Sequence, residues 1–139
     1  MTCTPATRPL LRAGWIRPGT HITAVGSDTP EKQELEAAVL AKADRIVVDS
    51  LSQSEFRGEA FKAVGAGAIG RDRLVELGRV IAEEGLRRAS EDEITVADLT
   101  GVAVQDIQIC KAVRGRLPPP VTARRPSRGG GSRPRRTCP

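Results

Sequence analysis

Aromatic residues and cysteines are scarce in this sequence of 139 residues. Two Phe, one Trp and no Tyr leave aromatics at 2% of the chain. A core must therefore be packed from Ala, Val, Ile and Leu, for which a hydrophobic content of 39% suffices. The three cysteines, Cys3, Cys110 and Cys138, lack metal or disulfide spacing. Their odd number favours reduced thiols over a disulfide-stapled secreted scaffold.

Long apolar runs are also missing. No run approaches the ~18 residues that a membrane-spanning helix needs. The N-terminus lacks the charged-then-apolar pattern of a secretory signal. The sequence therefore predicts one soluble cytoplasmic domain with no membrane partner.

The net charge of +5 is unevenly distributed along the chain. Residues 1–117 carry 16 Lys and Arg against 17 Asp and Glu, a net of −1. Residues 118–139 carry six arginines and no acidic residue. The basic character belongs to this tail and not to the body, which makes nucleic acid an unlikely partner of the body.

The tail is composed of Pro, Arg, Gly, Ser and Thr with almost no apolar side chains. Such a segment cannot bury enough surface to offset its ordering entropy, so we predict disorder over residues 118–139. Two interpretations of it remain open. It is either an arginine-rich arm for phosphates, without the aromatics that stack on bases, or the product of a frame slip in a GC-rich gene.

The body alternates strand and helix patterns, which favours an α/β fold with a parallel sheet and flanking helices. A loop with one helical turn precedes the first strand. The predicted elements are, in order, a strand at 20–26, a helix at 30–43, a strand at 45–50, an irregular helix at 54–64 broken by Gly58, a helix at 71–84, a strand at 93–98 and a helix at 101–114.

A glycine pattern at Gly65, Gly67 and Gly70 matches the dinucleotide-binding spacing G-x-G-x-x-G. That fingerprint must follow a buried strand, whereas here it follows a helical stretch. The acidic residue expected about 20 positions further on would fall near Glu91, past the end of a helix instead of at a strand tip. We interpret the pattern as a glycine loop joining two helices.

Asp28 is the strongest candidate for a functional side chain. It follows a strand that ends at Gly26, and open α/β sheets bind ligands at the carboxyl ends of their strands. The alternative is that Asp28 only caps a helix beginning at Pro30. Lys32 either adds a positive charge to this site or is a solvated side chain. His21 lies inside the strand and is interpreted as a packed residue and not a base.

Four ordered segments resemble the C-terminal half of the ornithine cyclodeaminase and mu-crystallin family, over residues 2–113. They are TCTPATRPLL, IRPGTHITAVGSDTPEKQELE, IVVDS and EITVADLTGVAVQDIQICKAV. The resemblance implies a Rossmann-like NAD(P)-binding fold and a second domain that dimerises and carries much of the substrate site. Its members include ornithine and lysine cyclodeaminases, alanine dehydrogenases and ketimine reductases.

The resemblance also implies the extent of the domain. Residues 1–117 correspond to the C-terminal part of a Rossmann-like NAD(P)-binding domain with the family's closing helix, followed by the tail at 118–139. The family's glycine-rich loop and the Arg and Lys that clamp the substrate carboxylate lie upstream of Thr2. We therefore expect a fragment that is inactive alone.

The site residues implied by the resemblance cluster at strand ends. Asp28 matches the family's catalytic carboxylate and also contacts the substrate, and Thr100 borders the substrate. Leu99 stands where the family often has Ser, so one cofactor hydrogen bond is lost. The residues that match cofactor contacts for NAD or NADP are Thr4, Val25, Gly26, Ser27, Asp28 and Lys32.

For an intact member the resemblance implies hydride transfer from the α-carbon of an L-amino acid. The amine becomes an imine, and Asp28 accepts a proton or orients the amino group. A second nitrogen or water then attacks the imine. The intact family is homodimeric. The alternative is a non-enzymatic protein, either an NAD(P)-fold remnant that associates with a partner chain or an arginine-tailed binder.

Overall fold

Four short strands form one parallel sheet in the order β1-β4-β2-β3. They are β1 (His21–Ala24), β2 (Arg45–Val48), β3 (Leu74–Glu76) and β4 (Thr95–Asp98). This computed structural model describes residues 1–116. The tail predicted to be disordered, with its six arginines and Cys138, lies outside the described residues.

The register of the sheet brings three strand ends level with one another. β4 lies between β1 and β2, and Asp98 at its end pairs with Ala24 on one side and Val48 on the other. Thr2 extends the same edge by a parallel bridge to Ala24. The residues that follow β1, β2 and β4 therefore leave the sheet at one common edge, which is where ligands bind in open α/β sheets.

The strands are connected by short helices and turns. The α-helices are α1 (Ala37–Lys42), α2 (Glu59–Gly65), α3 (Leu77–Ala82) and α4 (Ala103–Arg116), and the 3-10 turns are Ala13–Trp15, Gln53–Glu55, Arg71–Arg73 and Glu84–Leu86. The predicted α/β class with a parallel sheet and flanking helices is confirmed. The strands predicted at 20–26, 45–50 and 93–98, the helical turn before β1 and the helix break at Gly58 are confirmed as well.

The core lies on one face of the sheet. Alternate strand residues point towards α1 and α2, as the two-residue period of a strand requires. No aromatic residue belongs to this cluster, so aliphatic side chains do the packing as expected. Its central members are Ile22, Ala24, Leu35, Val39, Leu40, Ile46, Val48, Ala60, Ala63 and Val96. By contrast, α3 and α4 contribute no buried residue.

The predicted helix at 30–43 is wrong over its first half, because α1 begins only at Ala37. The preceding segment makes a turn at residues 29–32 and then pairs with the N-terminal region. Leu35 bridges to Leu11, and the Gln33 amide donates to the Ala6 carbonyl at 2.8 Å. Tertiary pairing has overridden a locally helical pattern.

The predicted helix at 71–84 is also wrong over its first half. Residues 71–73 form a 3-10 turn and residues 74–76 form β3, whose Leu74 pairs with Ile46 of β2. The backbone of β2 offers hydrogen bonds at its open edge, and a three-residue strand is too short for its period to be distinguished from that of a helix. Only α3 remains of the predicted helix.

The cysteines and the helices of the described residues are each the subject of a prediction. Cys3 and Cys110 are free and exposed. Within residues 1–116, no helix combines the length and the apolar character needed to cross a bilayer.

Candidate functional site

Asp28 lies four residues beyond Ala24, the last residue of β1, with 52% of its side chain exposed. The Lys32 ammonium donates to Asp28 Oδ1 at 2.6 Å. This hydrogen bond is the main reason why the pKa of Asp28 is lowered, and the charge of Arg57 acts in the same direction. The interpretation of Asp28 as a helix cap is wrong, because no helix begins at Pro30 and α1 starts only at Ala37.

A cleft of about 500 Å³ opens beside Asp28. One wall comes from the loop after β1 and the other from the segment after β2. The lining residues are Asp28, Thr29, Pro30, Ser52, Gln53, Phe56 and Arg57. The cleft thus combines a carboxylate, a guanidinium and an exposed aromatic ring, which suits a small charged ligand with a flat apolar part.

Glu34, which the sequence did not single out, is fully buried behind this loop. Its carboxylate accepts hydrogen bonds from the Thr2 hydroxyl at 2.8 Å and the Gly26 amide at 2.9 Å. It also accepts from the amide and hydroxyl of Thr4, at 2.6 and 2.9 Å. A Cβ on Gly26 would collide with this carboxylate and with the Thr4 carbonyl, so the close approach requires glycine.

The predicted cofactor residues therefore direct their donors inward. Thr4 and Gly26 donate to Glu34, and the Val25 amide donates to the Thr2 carbonyl at 3.0 Å. The Ser27 hydroxyl donates to Glu59. Among the predicted site residues, Asp28 lines the cleft, and Lys32 is held next to Asp28 by their ion pair.

Glu59 is a second buried carboxylate that the sequence did not reveal. Besides the Ser27 hydroxyl, it accepts from the amides of Glu34 at 2.6 Å and Leu35 at 3.0 Å. Burial raises the pKa of Glu59, although these hydrogen bonds oppose the change. Its neighbour in sequence, Gly58, has a φ of +95°.

Asp98 ends β4 and is 1% exposed. Its Oδ2 accepts from the Ala60 amide at 2.8 Å, and burial raises the pKa of this carboxyl to about 7. A Cβ on Gly58 would lie 2.5 Å from Asp98 Oδ2. Glycine is therefore needed where α2 approaches the end of β4.

Thr100, predicted to border the substrate, is buried behind the cleft. Its hydroxyl lies 3.1 Å from both Asp49 Oδ1 and Gln53 Oε1, and Gln53 lines the cleft. The next amide, that of Gly101, donates to Asp49 Oδ2 at 2.7 Å. Thr100 thus reaches the cleft only through Gln53, and its contact with substrate stays a prediction.

The glycine pattern at residues 65–70 and His21 do not belong to the candidate site. The segment with Gly65, Gly67 and Gly70 begins at the last residue of α2, so the rejection of a strand–turn–helix phosphate loop is confirmed. It leads through the 3-10 turn Arg71–Arg73 to β3 and not to an α-helix. His21 is exposed instead of packed. Its ring nitrogens lie 2.7 Å from the Thr95 hydroxyl and 3.1 Å from the Thr23 hydroxyl.

Comparison with known protein sequences shows the family. The model of the ornithine cyclodeaminase/mu-crystallin family matches residues 1–118. An alanine dehydrogenase of Archaeoglobus fulgidus is 46% identical over 114 residues, covering 81% of this chain and 35% of the relative. A ketimine reductase mu-crystallin of Mus musculus is 37% identical over 114 residues, covering 81% and 34%.

Solved structures show the same fold. An archaeal alanine dehydrogenase dimer with bound NAD superposes with a TM-score of 0.75 and 44% identity, covering 81% of this chain and 35% of that one. The iminosuccinate reductase of Paracoccus denitrificans in complex with NAD+ gives 0.75 and 41%, covering 81% and 34%. The chain spans about a third of the length of the relatives that it matches. It belongs to the ornithine cyclodeaminase/mu-crystallin family, and its parallel sheet is one that NAD-bound members share.

Proposed function

We propose that this chain supplies the reacting end of an NAD(P)-dependent enzyme that acts on an L-amino acid through an imine, by oxidative deamination or cyclodeamination. The observation that carries the proposal is Asp28, an exposed carboxylate at the carboxyl end of a parallel strand, open to a cleft and paired with Lys32. Relatives named as an alanine dehydrogenase and as iminosuccinate and ketimine reductases support the same amine–imine chemistry.

The charge state of Asp28 fits this role. Asp28 is exposed and therefore a carboxylate at neutral pH, and Lys32 favours this charged form further by lowering its pKa. It can orient a substrate amino group, balance the positive charge of an iminium, and accept the proton that leaves the nitrogen. When bound, NAD(P) would accept the hydride that leaves the α-carbon, so that the carbon–nitrogen double bond forms. Water or a second nitrogen then attacks the imine carbon, and the original nitrogen leaves as ammonia.

The donor set of residues 1–116 fits one end of the cofactor. Lys32, Arg57 and the ring of Phe56 surround Asp28, a combination suited to a flat polar ring such as nicotinamide. The described residues contain no glycine-rich strand–turn–helix for a pyrophosphate. We infer that Asp28 and Lys32 border the nicotinamide end directly. Thr4, Val25, Gly26 and Ser27, whose donors are directed inward, would shape this end from behind.

Partners and location follow from the same proposal. The substrate is a small amino acid that would meet Asp28 in the cleft, with Thr100 behind the cleft and connected to it through Gln53. A homodimer is supported by the archaeal alanine dehydrogenase, which is described as a dimer. A metabolic reaction on a free amino acid favours the cytoplasm.

The catalytic role is tested in a chimera in which residues 1–116 replace the matching segment of the Archaeoglobus alanine dehydrogenase. Asp28→Asn should lower turnover of alanine by roughly 10² to 10⁴, because Asn neither accepts a proton nor balances a charge. The melting temperature should hardly change, since Asp28 is exposed and caps no helix. Asp92→Asn, at an exposed position near the opposite edge, is the matched control. Turnover within about threefold of the parent chimera would refute the role of Asp28.

A second prediction concerns the affinity of the isolated chain for NAD. Because residues 1–116 offer no pyrophosphate site, calorimetric titration with NAD should give a dissociation constant weaker than ~10 μM. Tighter binding would show that the whole cofactor finds its contacts within this chain.

A further inference from the structure

The loop of residues 26–35, which carries Asp28 and Lys32, is fixed at both ends by buried carboxylates. At its first end, Gly26 donates to Glu34 and Ser27 donates to Glu59. At its last end, the amides of Glu34 and Leu35 donate to Glu59. The two ends of the loop thus converge on a single carboxylate, that of Glu59.

The middle of this loop has little support of its own. Its backbone makes a turn in which the Lys32 amide donates to the Thr29 carbonyl at 3.3 Å. Asp28 and Pro30 are exposed there. The direction in which Asp28 points is therefore set by the anchored ends and by its ion pair with Lys32.

Glu59 connects this loop to the end of β4. It is the first residue of α2, and the next residue, Ala60, donates its amide to the Asp98 carboxylate. Both Glu59 and Asp98 are almost completely buried, and neither forms an ion pair within residues 1–116. Burying a carboxylate without a cation is costly, and it is tolerated here because backbone N–H and hydroxyl groups satisfy its oxygens.

We propose that Glu59, assisted by Glu34, is a positioning residue that closes the 26–35 loop and thereby holds Asp28 against Lys32 at the cleft. Its relevance to turnover rests on the proposed function of Asp28. The positioning itself is a property of the folded chain and is measurable without activity.

The chemistry of the substitution Glu59→Gln makes the proposal testable. A carboxylate presents acceptors on both oxygens, whereas the amide of Gln presents one acceptor and an NH2 group that faces the donors. One anchoring contact of the loop is therefore lost while the size of the side chain is kept. The Asp28–Lys32 pair should then loosen.

The first measurement is the pKa of the Asp28 carboxyl, followed by NMR of side-chain carbons in the full chain of 139 residues. In the parent protein it should lie below the ordinary value of 3.8 because Lys32 donates to it. In Glu59→Gln it should rise towards the value found in Lys32→Gln, which lacks the ion pair altogether. Glu93→Gln is the matched control, because Glu93 accepts from Arg45 and the Ala89 amide at the opposite edge of the sheet. It should leave the pKa of Asp28 unchanged.

A milder variant keeps the test decisive if Glu59→Gln does not fold. Ser27→Ala removes only the hydroxyl donor and leaves both amide contacts of Glu59. It should raise the pKa of Asp28 by less than Lys32→Gln does. If a folded Glu59→Gln or Ser27→Ala variant keeps the parent pKa, Glu59 does not position Asp28.

Turnover in the chimera gives an independent measurement. Glu59→Gln should lower kcat/KM by about 10²-fold, since small misplacements of a catalytic group cost that much. In the double variant with Asp28→Asn, the loss should be no greater than with Asp28→Asn alone, because Glu59 acts through Asp28. Additive losses would overturn the positioning role. If Asp28→Asn has no effect on turnover, the proposed function fails while the NMR result stands.

Discussion

Buried carboxylates at the carboxyl ends of the strands (the carboxyl edge) are stabilised differently from Glu93 at their amino ends (the amino edge). At the carboxyl edge, Glu34, Glu59 and Asp98 are buried and satisfied by backbone N–H and hydroxyl groups. At the amino edge, Glu93 forms a bidentate ion pair with Arg45, at 2.9 and 3.2 Å. At the carboxyl edge, the buried carboxylates fix the conformation of the loops, at the cost of removing charged groups from water. At the amino edge, the structure is held by an ion pair that water can partly reach.

This difference also gives the buried carboxylates of the carboxyl edge and the Glu93 ion pair of the amino edge opposite pH dependences. Burial raises the pKa of Asp98 and Glu59, so their contribution to stability is present at low pH and is lost as the pH rises. Arg45 lowers the pKa of Glu93, so its contribution is present above its ordinary pKa and is lost as the pH falls. Stability measurements on single variants can separate the two edges.

The largest effect is expected from Asp98. Its pKa rises from 3.8 to about 7 on folding, so the free energy of unfolding should fall between about pH 4 and about pH 7 and level off above. Relative to Asp98→Asn, which cannot titrate, the fall should approach about 4 kcal/mol. Urea unfolding across this range measures it. A pH-independent difference between the two proteins would contradict the assignment.

Glu34→Ala should have the next largest effect. It leaves the donors of Thr2, Thr4 and Gly26 without their acceptor in the interior. Each orphaned buried donor costs roughly 1 to 3 kcal/mol, and partial access of water limits the sum to about 3 kcal/mol. The urea midpoint at neutral pH is the readout, and a loss below about 1 kcal/mol would mean that the carboxyl edge is not held together by Glu34.

Gly26→Ala should destabilise the chain by about 2 kcal/mol, the range for overpacking a tight site. The added methyl group meets the Glu34 carboxylate and the Thr4 carbonyl. Gly14→Ala is the matched control, because a Cβ there meets nothing within 4 Å. Equal melting temperatures for the two variants would show that a methyl group fits at position 26 without displacing Glu34 or Thr4.

Glu93→Gln should have the smallest effect of the four, because its ion pair is partly exposed, so that water and salt partly screen it. Its cost should also shrink in 1 M salt, unlike that of Glu34→Ala. If Glu93→Gln lowered the free energy of unfolding as much as Glu34→Ala, independently of salt, the proposed difference between the two edges would be wrong.

The sequence predicts the sheet well because its three longer strands are rich in β-branched residues. It also places Asp28 correctly at a strand tip, since that inference needs only the end of β1. It fails for residues 30–36 and 74–76, where partners distant in the chain, Leu11 and Ile46, decide the backbone conformation. Local periodicity carries no information about such partners.

The buried carboxylates escape prediction for a related reason. Glu34 and Glu59 look like ordinary surface residues of helical segments, because charged residues are seldom buried. For Glu59 the donors are Ser27, Glu34 and Leu35, which lie 24 to 32 positions away, and for Glu34 they lie up to 32 positions away. Two glycines give the only local hint, since Gly26 and Gly58 mark places where a carboxylate approaches the backbone closely.

The central position of β4 has a consequence for how the chain acquires its structure. β1 and β2 do not pair with each other, and β4, the last strand in the described sequence, lies between them. During synthesis β1 must wait for more than 70 further residues before Thr95 reaches its partner His21. Such long-range closure is slow and leaves strand edges exposed in the meantime. A nascent chain that stops before Asp98 lacks the strand that joins its two halves, so we expect early arrest products to be recognised by chaperones or proteases instead of accumulating as folded protein.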